Sequence, residues 1–470
     1  MTSESPDPAV LEATAVLEAP TVFEAPAVFE ALHRRVAPIE RLTEDADALA
    51  EACLAVARAF RAGGRLLVFG TGTAATDAQH VSVEFMHPVI VGKRALPAFS
   101  LAADSATMSG LAQTLGPDAV FAHQLRVLGR AGDIALGVCG DGDSPAVVQG
   151  LAAARAAGMT TVALIGGDGG RIAEDGLADH RFVVRSDDHR VVKEGHVTLY
   201  HLLWELTHVY LEQPHALDSA ATSETSPEAA DGIGTLYPFL YSGTSSLEAL
   251  TVEVAASARA KIAEIVALRR SVGQAEAASL AACASAMAAG FGKGATLLAF
   301  GNGGSSSDAQ DIVHTFLDPG PEPRPDLSPG PGAGAGALPA LCLTNDTAVV
   351  TALSNDVSFD VVFARQLQAV GRPGDLAVAV STSGGSANVL AALAAARKAG
   401  MTTVGFAGYG GGKMAELGLV DHLFAVPSSS VHRIQEVQTT LYHVLWEQVQ
   451  RELRLTSAGP APRTPRPDRD

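Results

Sequence analysis

The sequence predicts an α/β fold that is built twice, with a parallel sheet covered by helices on both faces in each copy. The first observation is an internal repeat, because Gly158 to Val162 recurs as Gly400 to Val404, 242 positions later. Leu199-Tyr200-His201 recurs as Leu441-Tyr442-His443 with the same offset. The second observation is that short apolar segments alternate with helical segments, which is typical of buried strands in a parallel sheet. The 470-residue chain is therefore a tandem duplication of one domain of ordinary size.

The predicted elements are clearest in the second copy. In chain order they are a helix over 275–289, a strand over 295–300, the Gly/Ser loop Gly301 to Ser307 opening a helix, a strand over 376–380, the loop Ser381 to Ser386, a helix ending at Arg397, a strand over 402–406, a strand around 423–426, and a helix over 432–453. Ligands of such sheets bind beyond the carboxyl ends of the strands. The two Gly/Ser loops are therefore the candidate binding site.

Composition divides the chain. We expect an acidic disordered tail over 1–28, a first domain over 29–213, a linker over 214–246, a second domain over 247–455 and a disordered tail over 456–470. Near the start of each copy the offset falls to 231, because the second copy carries an extra Pro/Gly tract over 319–336. Proline and glycine oppose helix and interior strand, so this tract is predicted to be an inserted loop.

Charge and cysteine usage exclude several classes of protein. A net charge of -18 opposes nucleic-acid binding, and the apolar runs are too short to cross a bilayer. The N-terminus lacks the basic and apolar regions of a signal peptide. The cysteines, which are Cys53, Cys139, Cys283 and Cys342, lie far apart and favour reduced thiols. A cytoplasmic protein with no nucleic-acid or membrane partner is expected.

Both loops of the second copy have the chemistry of an anion cradle. Their glycines allow backbone amides to turn inward, their hydroxyls add donors, and each loop opens a helix whose N-terminus favours a phosphate. One such loop is a weak signal, since it is often an ordinary capped turn. Two loops after successive strands predict a phosphate site more strongly.

The second copy also carries motifs in a fixed order. They are Gly301-Asn302-Gly303-Gly304-Ser305, Asp308-Ala309, Asn355-Asp356, Ser381-Thr382-Ser383-Gly384 with Ser386-Ala387-Asn388, and Arg433-Ile434-Gln435-Glu436 before His443. Over about 275–453 they resemble the sugar isomerase (SIS) domain and, within it, the phosphoheptose isomerase family. The first copy, over about 27–212, resembles the same domain with weaker motifs.

The resemblance implies both a fold and an activity. The expected fold is two tandem SIS domains, each a flavodoxin-like parallel sheet with helices on both faces. The expected activity is that of an intramolecular oxidoreductase, an aldose–ketose isomerase that converts sedoheptulose 7-phosphate to a glycero-manno-heptose 7-phosphate. Sites between subunits and a bound zinc ion are implied as well.

In the second copy the resemblance assigns substrate contacts to Asn302, Gly303, Gly304, Ser305, Asn355, Asp356, Ser381, Thr382, Ser383, Ser386 and Gln435. It assigns metal ligation to Gln435 and His443 there. The family's remaining metal ligand and its carboxylate base fall on Asp311 and Thr315, which depart from the pattern. A threonine cannot take a proton from carbon at neutral pH, so the second copy lacks the base.

The first copy shows the reverse. Ala74 removes a hydroxyl from its first loop, and Asp141 with Asp143 would repel a phosphate at the second. Gln113 and Thr114 replace the Asn-Asp pair. The copy nevertheless keeps His80 and Glu84, which are four residues apart and so share one helical face, as a metal ligand and a ligand that doubles as base require.

The closing helices differ at a further ligand position. Lys193 in the first copy stands where the second has Gln435, and a cationic lysine does not bind zinc. His201 and His443 occur in identical Tyr-His-x-Leu-Trp-Glu contexts, so each is either a metal ligand or part of a buried apolar stripe. Gln435 nearby favours the functional interpretation for His443, while that of His201 stays open.

Two functional hypotheses follow. In the first, the two copies share one active site, with Glu84 moving a proton between C1 and C2, His443 acting as acid and zinc polarising the carbonyl. In the second, the protein binds or senses a sugar phosphate without turning it over.

The duplication also predicts an assembly. Single-domain members of the family are expected to be homotetramers, so this chain is expected to form a homodimer holding four SIS units.

Overall fold

The computed structural model describes residues 24–89, 92–213, 246–320 and 336–457, and within them each copy folds around its own five-stranded parallel sheet. The predicted α/β class, with two tandem domains, is confirmed. The strands are continuous buried apolar runs, such as Leu66–Gly70 and Leu297–Gly301. Runs of this kind form because helices cover both faces of the sheet.

The elements of the first copy are α1 (Glu24–His33), α2 (Val36–Glu40), a 3-10 turn (Arg41–Asp45), α3 (Ala46–Arg61), β1 (Leu66–Gly70), α4 (Thr73–Met86), β2 (Ala98–Ser100), α5 (Ser105–Leu115), a 3-10 turn (Pro117–Ala119), α6 (Val120–Leu128), β3 (Ile134–Cys139), α7 (Pro145–Ala156), β4 (Thr160–Gly166), α8 (Gly170–Glu174), β5 (His180–Val184) and α9 (His189–Leu211).

The elements of the second copy are α10 (Leu247–Phe291), β6 (Leu297–Gly301), α11 (Gly304–Leu317), β7 (Ala340–Cys342), α12 (Thr347–Asp356), a 3-10 turn (Phe359–Val361), α13 (Val362–Val370), β8 (Leu376–Ser381), α14 (Ala387–Lys398), β9 (Thr402–Gly408), α15 (Gly412–Glu416), β10 (His422–Val426) and α16 (Val431–Ser457).

The two sheets have the same strand order. It is β2-β1-β3-β4-β5 in the first copy and β7-β6-β8-β9-β10 in the second. The registers correspond as well, since Leu66 is level with Ile134 and Leu297 is level with Leu376. In each copy the loops after the first and third strands therefore lie side by side at one edge, which is where the candidate binding loops were predicted.

The structure changes two predicted boundaries. The tail predicted over 1–28 ends sooner, because α1 begins at Glu24 and Val28 is fully buried. The helix predicted over 275–289 is the last third of α10, whose 45 residues begin directly after the Ser246 cap. Residues 1–23, most of the predicted linker, the tract 321–335 and the C-terminal segment 458–470 lie outside the described residues.

The two copies pack against each other through equivalent helices. Helix α4 contacts α11, α9 contacts α16, and α1 lies on α10. The amide of Gln310 donates to that of Gln79, its repeat counterpart, at 3.0 Å. One apolar core runs through both copies, while two smaller cores fill the outer faces. This packing places α4 beside the binding loops of the second copy and α11 beside the loops of the first copy.

None of the helices in the described ranges is both long enough and apolar enough to cross a membrane.

Candidate active site

The two loops of the second copy are held together by a pair of asparagine side chains. Asn302 and Asn388 exchange hydrogen bonds at 2.8 and 2.9 Å, one from each loop. The Ser381 and Ser386 hydroxyls lie 3.3 Å apart, and Ser305 is buried at the start of α11. Gly303 has φ +58, which lets the chain turn sharply from β6 into this helix. The loops thus present hydroxyls and amides at two helix starts.

A cluster of three buried side chains of the first copy lies across the domain interface from these loops. His80 and Glu84 project from one face of α4, and His201 joins them from α9. Their ligand atoms all lie within 4.8 Å of one another. The distance from His80 Nε2 to Glu84 Oε1 is 3.6 Å. A two-histidine, one-carboxylate set of this kind can hold a metal ion.

The second copy meets this cluster at Gly304 and Gln435. A Cβ added at Gly304 would lie 2.6 Å from His80 Nε2 and 2.4 Å from Gln435 Nε2. The imidazole from the first copy and the amide from the second therefore converge on the same glycine of the first binding loop. His80 of the first copy and Gln435 of the second copy therefore lie together at the domain interface.

Comparison with known proteins now places the chain. A sequence model of the SIS domain matches residues 32–166 and 331–408. The phosphoheptose isomerase of Roseiflexus sp. (strain RS-1) is 46% identical over 163 residues, which are 35% of this chain and 76% of that protein. The chain belongs to the phosphoheptose isomerase family of SIS-domain proteins. The phosphoheptose isomerase of Paramagnetospirillum magneticum (strain ATCC 700264 / AMB-1), another member, is 46% identical over 169 residues, covering 36% of this chain and 79% of its own length.

A solved structure extends the likeness over both copies. Tagatose-6-phosphate ketose/aldose isomerase from Escherichia coli matches 92% of this chain and 94% of its own with a TM-score of 0.51 and 12% identity. At that identity the likeness concerns the fold alone. It agrees with two SIS domains packed within one chain.

The zinc ion that membership of the family implies is compatible with the residues present. His80 Nε2, His201 Nε2 and Gln435 Oε1 are buried, and none of the three has a hydrogen-bond partner among the described residues. Buried polar atoms are normally paired, so these three atoms are available for a ligand. With the Glu84 carboxylate they provide two nitrogens and two oxygens, a donor set that zinc accepts.

His201 is held in an orientation suited to metal binding. Its Nδ1 lies 3.1 Å from Oε1 of Glu436, a residue of the other copy, which leaves Nε2 facing the cluster. Carboxylates commonly orient metal-binding histidines in this way. Burial, followed by the charge of His432, lowers the pKa of His201 well below its ordinary value, so the ring is neutral. A neutral imidazole is the form that binds a metal.

Glu84 lies in a buried hydrogen-bonded chain that the sequence did not reveal. Its Oε2 is 3.2 Å from His432 Nε2, and His432 Nδ1 is 2.6 Å from Glu205 Oε1. Burial opposes charge on His432, but the hydrogen bonds that its ring donates to both glutamates outweigh burial and raise its pKa to about 9. Burial alone would raise the pKa of Glu84, yet the His432 interaction holds it well below its ordinary value. Glu84 is therefore ionised at neutral pH.

The structure does not bring His443 to this cluster. Its Nδ1 lies 3.0 Å from Glu194, and its Nε2 lies 3.2 Å from Asp311, which the Tyr442 hydroxyl also contacts at 2.7 Å. Lys193 is 3.8 Å from the same Asp311 carboxylate. His443 therefore belongs to a second arrangement, related to the first by the internal repeat. The reason is that the last helix of each copy packs on the helix that follows the first strand of the same copy. Helix α9 packs on α4, so His201 meets His80, and α16 packs on α11, so His443 meets Asp311.

The predicted Asn355 and Asp356 are also placed elsewhere. They lie exposed at the end of α12, where the Asn355 amide donates to the Asp356 carboxylate at 2.8 Å. No hydrogen bond joins them to either binding loop in the ranges that the structure covers. Thr382 and Ser383 do belong to the second loop, where Gly385 N donates to Ser383 Oγ at 3.2 Å.

Proposed function

We propose that the protein is an aldose–ketose isomerase of a phosphorylated sugar, which converts sedoheptulose 7-phosphate to a glycero-manno-heptose 7-phosphate at a site shared by the two copies. The observation that carries the proposal is the approach of His80 to Gly304 and Gln435. This approach would bring the phosphate loops of the second copy close to the Glu84 carboxylate of the first copy.

The second copy would bind the substrate phosphate. Ser305, Ser381, Ser383 and Ser386 supply hydroxyl donors, and the loops open α11 and α14. The amides and dipole of a helix N-terminus favour a dianionic group. The phosphate would thus anchor one end of the sugar and direct its carbonyl end towards the domain interface.

The first copy would supply the proton transfer. The ionised Glu84 carboxylate would take the proton from the hydroxyl-bearing carbon next to the carbonyl, which gives an enediolate. The hydroxyl proton then passes to the former carbonyl oxygen, and Glu84 returns the first proton to the neighbouring carbon. No electron donor is needed, because the oxidation of one carbon balances the reduction of the other. A zinc ion held by His80, Glu84, His201 and Gln435 would polarise the sugar carbonyl. Water exclusion by the buried interface strengthens these interactions.

The test is an isomerase assay with sedoheptulose 7-phosphate and zinc, on the wild-type chain and on two variants. Glu84→Gln removes the base, and Ser383→Ala removes a phosphate donor from the other copy. Both should lose most of their activity, the first by about 10²- to 10⁴-fold. Full activity in either variant would contradict the shared site. If the wild-type chain binds the substrate in a thermal-shift assay but forms no aldose, the protein is a sugar-phosphate-binding protein instead.

A further inference from the structure

A cavity lies at the position that the internal repeat makes equivalent to the proposed active site. Its volume is about 580 Å³, which is within the range of small-molecule sites. The loops of the first copy, including Thr71, Asp141 and Ser144, form one wall, and Thr315 and His443 of the second copy lie opposite. The cavity has the dimensions of a sugar site but a different set of side chains.

The chemistry of the proposed active site is missing here. Asp311 and Thr315 stand where that site has His80 and Glu84, so this cavity has no carboxylate at the position of the proposed base. Lys193 replaces the glutamine ligand, and its ammonium contacts Asp77 at 2.6 Å. The lysine is thus paired with its carboxylate neighbours, at the repeat position of the proposed metal ligand Gln435. The cavity therefore lacks the residues that the proposed isomerisation requires.

Arg190 points to a bound ligand. Its side chain lines the cavity, is 4% exposed, and leaves Nε buried without a hydrogen-bond partner among the described residues. The guanidinium lies 3.6 Å above the Trp446 ring, which fixes its position. Its repeat counterpart, His432, bonds to Glu84, but the position of Glu84 is held here by Thr315, and the Arg190 Nη2 donates instead to the Pro319 carbonyl at 2.7 Å. The Nε–H donor of Arg190 is left without an acceptor among the described residues, and a buried donor of this kind favours an oxygen supplied by a ligand.

Asp141 makes the mouth of the cavity less favourable to a phosphate than the matched loop of the second copy. Asp141 occupies the position of Ser383, and its carboxylate accepts from the amide of Asp143 at 2.9 Å, so it is held in the loop. A fixed negative charge at this point repels a phosphate dianion and accepts hydrogen bonds from hydroxyl groups. The hydroxyls of Thr71 and Ser144, 3.4 Å apart, offer further polar contacts.

We propose that this cavity is a second, non-catalytic site for an unphosphorylated, polyhydroxylated molecule of sugar size. A sugar oxygen accepts from Arg190 in the interior, and sugar hydroxyls donate to Asp141 at the mouth. The division between the copies is then one of ligand: the second copy's loops take the phosphorylated sugar, and the first copy's loops take a neutral one. The assignment does not depend on turnover at the other site.

The test is isothermal titration calorimetry with sedoheptulose, glucose and sorbitol as probes. Ser144→Trp fills the mouth of the second cavity, and Ser386→Trp, at the matched repeat position, fills the proposed active site. Arg190→Met keeps the packing on Trp446 but removes the donor. We expect at least one probe to bind the wild-type chain and Ser386→Trp, and to bind Ser144→Trp and Arg190→Met at least tenfold more weakly.

Three results would overturn the proposal. One is the absence of binding heat from all three probes. Another is binding that Ser386→Trp abolishes and Ser144→Trp retains, because the ligand would then occupy the other site. A third is the finding that inorganic phosphate binds more tightly than the probes and that Ser144→Trp abolishes this phosphate binding. If Arg190→Met does not fold, the Ser144→Trp and Ser386→Trp pair decides alone. Isomerase turnover in Ser144→Trp is measured separately and should match the wild type.

Discussion

Gly304 offers a direct test of the shared site, since a methyl group added there would clash with a side chain from each copy, His80 and Gln435. It is the first residue of α11 and is not in the left-handed region, so its backbone accepts alanine without strain. The new Cβ would lie 2.4 Å from Gln435 Nε2 and 2.6 Å from His80 Nε2. Non-bonded heavy atoms prefer separations of about 3.5 Å, so each nitrogen has to retreat by about 1 Å.

The retreat should damage the site and spare the fold. Both nitrogens are at the ends of flexible side chains, and overpacking of this kind costs about 1–3 kcal/mol at most sites. A displacement of 1 Å near the chemistry can lower turnover about 10²-fold. We therefore expect Gly304→Ala to fold, to bind zinc about 10- to 100-fold more weakly, and to lose about 10²-fold in kcat/KM.

The assays are zinc competition with a chromogenic chelator, isomerase kinetics, and thermal unfolding as a check of the fold. The matched control is Thr73→Ala, at the equivalent position of the first copy, which should stay within about twofold of wild type in kcat/KM, where a twofold change is worth only about 0.4 kcal/mol. Wild-type zinc affinity and turnover in Gly304→Ala would refute the convergence of His80 and Gln435 as the functional centre.

Three further predictions use other parts of the structure. His201→Asn should weaken zinc binding at least about tenfold while His443→Asn leaves it within about twofold; equal losses in the same chelator assay would contradict the assignment of His201. Burial lowers the pKa of His196 to about 4. Between about pH 6.5 and 4 the unfolded chain therefore binds more protons at this residue than the folded chain does. The free energy of unfolding should fall as the pH drops through this range, by roughly 3 kcal/mol. Urea unfolding at pH 7 and 4.5 should show a smaller fall in His196→Asn. The predicted homodimer should give twice the 48.1 kDa chain mass in light scattering, and the mass of a single chain would contradict it.

The sequence by itself determined the duplication and the parallel sheets, and it showed where the residue types of the two copies differ. These features follow from local patterns: an apolar run between helices is a buried strand in either copy, and the change from Glu84 to Thr315 at the repeat position is visible wherever the helix lies. The spacing of His80 and Glu84 likewise places both side chains on one helical face, because an α-helix repeats every 3.6 residues.

Only the tertiary structure decided which residues of the two copies meet. His201 and His443 have identical sequence contexts, yet one faces His80 and the other faces Asp311, according to how α9 and α16 pack on α4 and α11. The hydrogen bond from His432 to Glu84 spans 348 positions. Contacts at such separations depend on the packing of whole helices and not on neighbouring residues, so no local pattern could assign them.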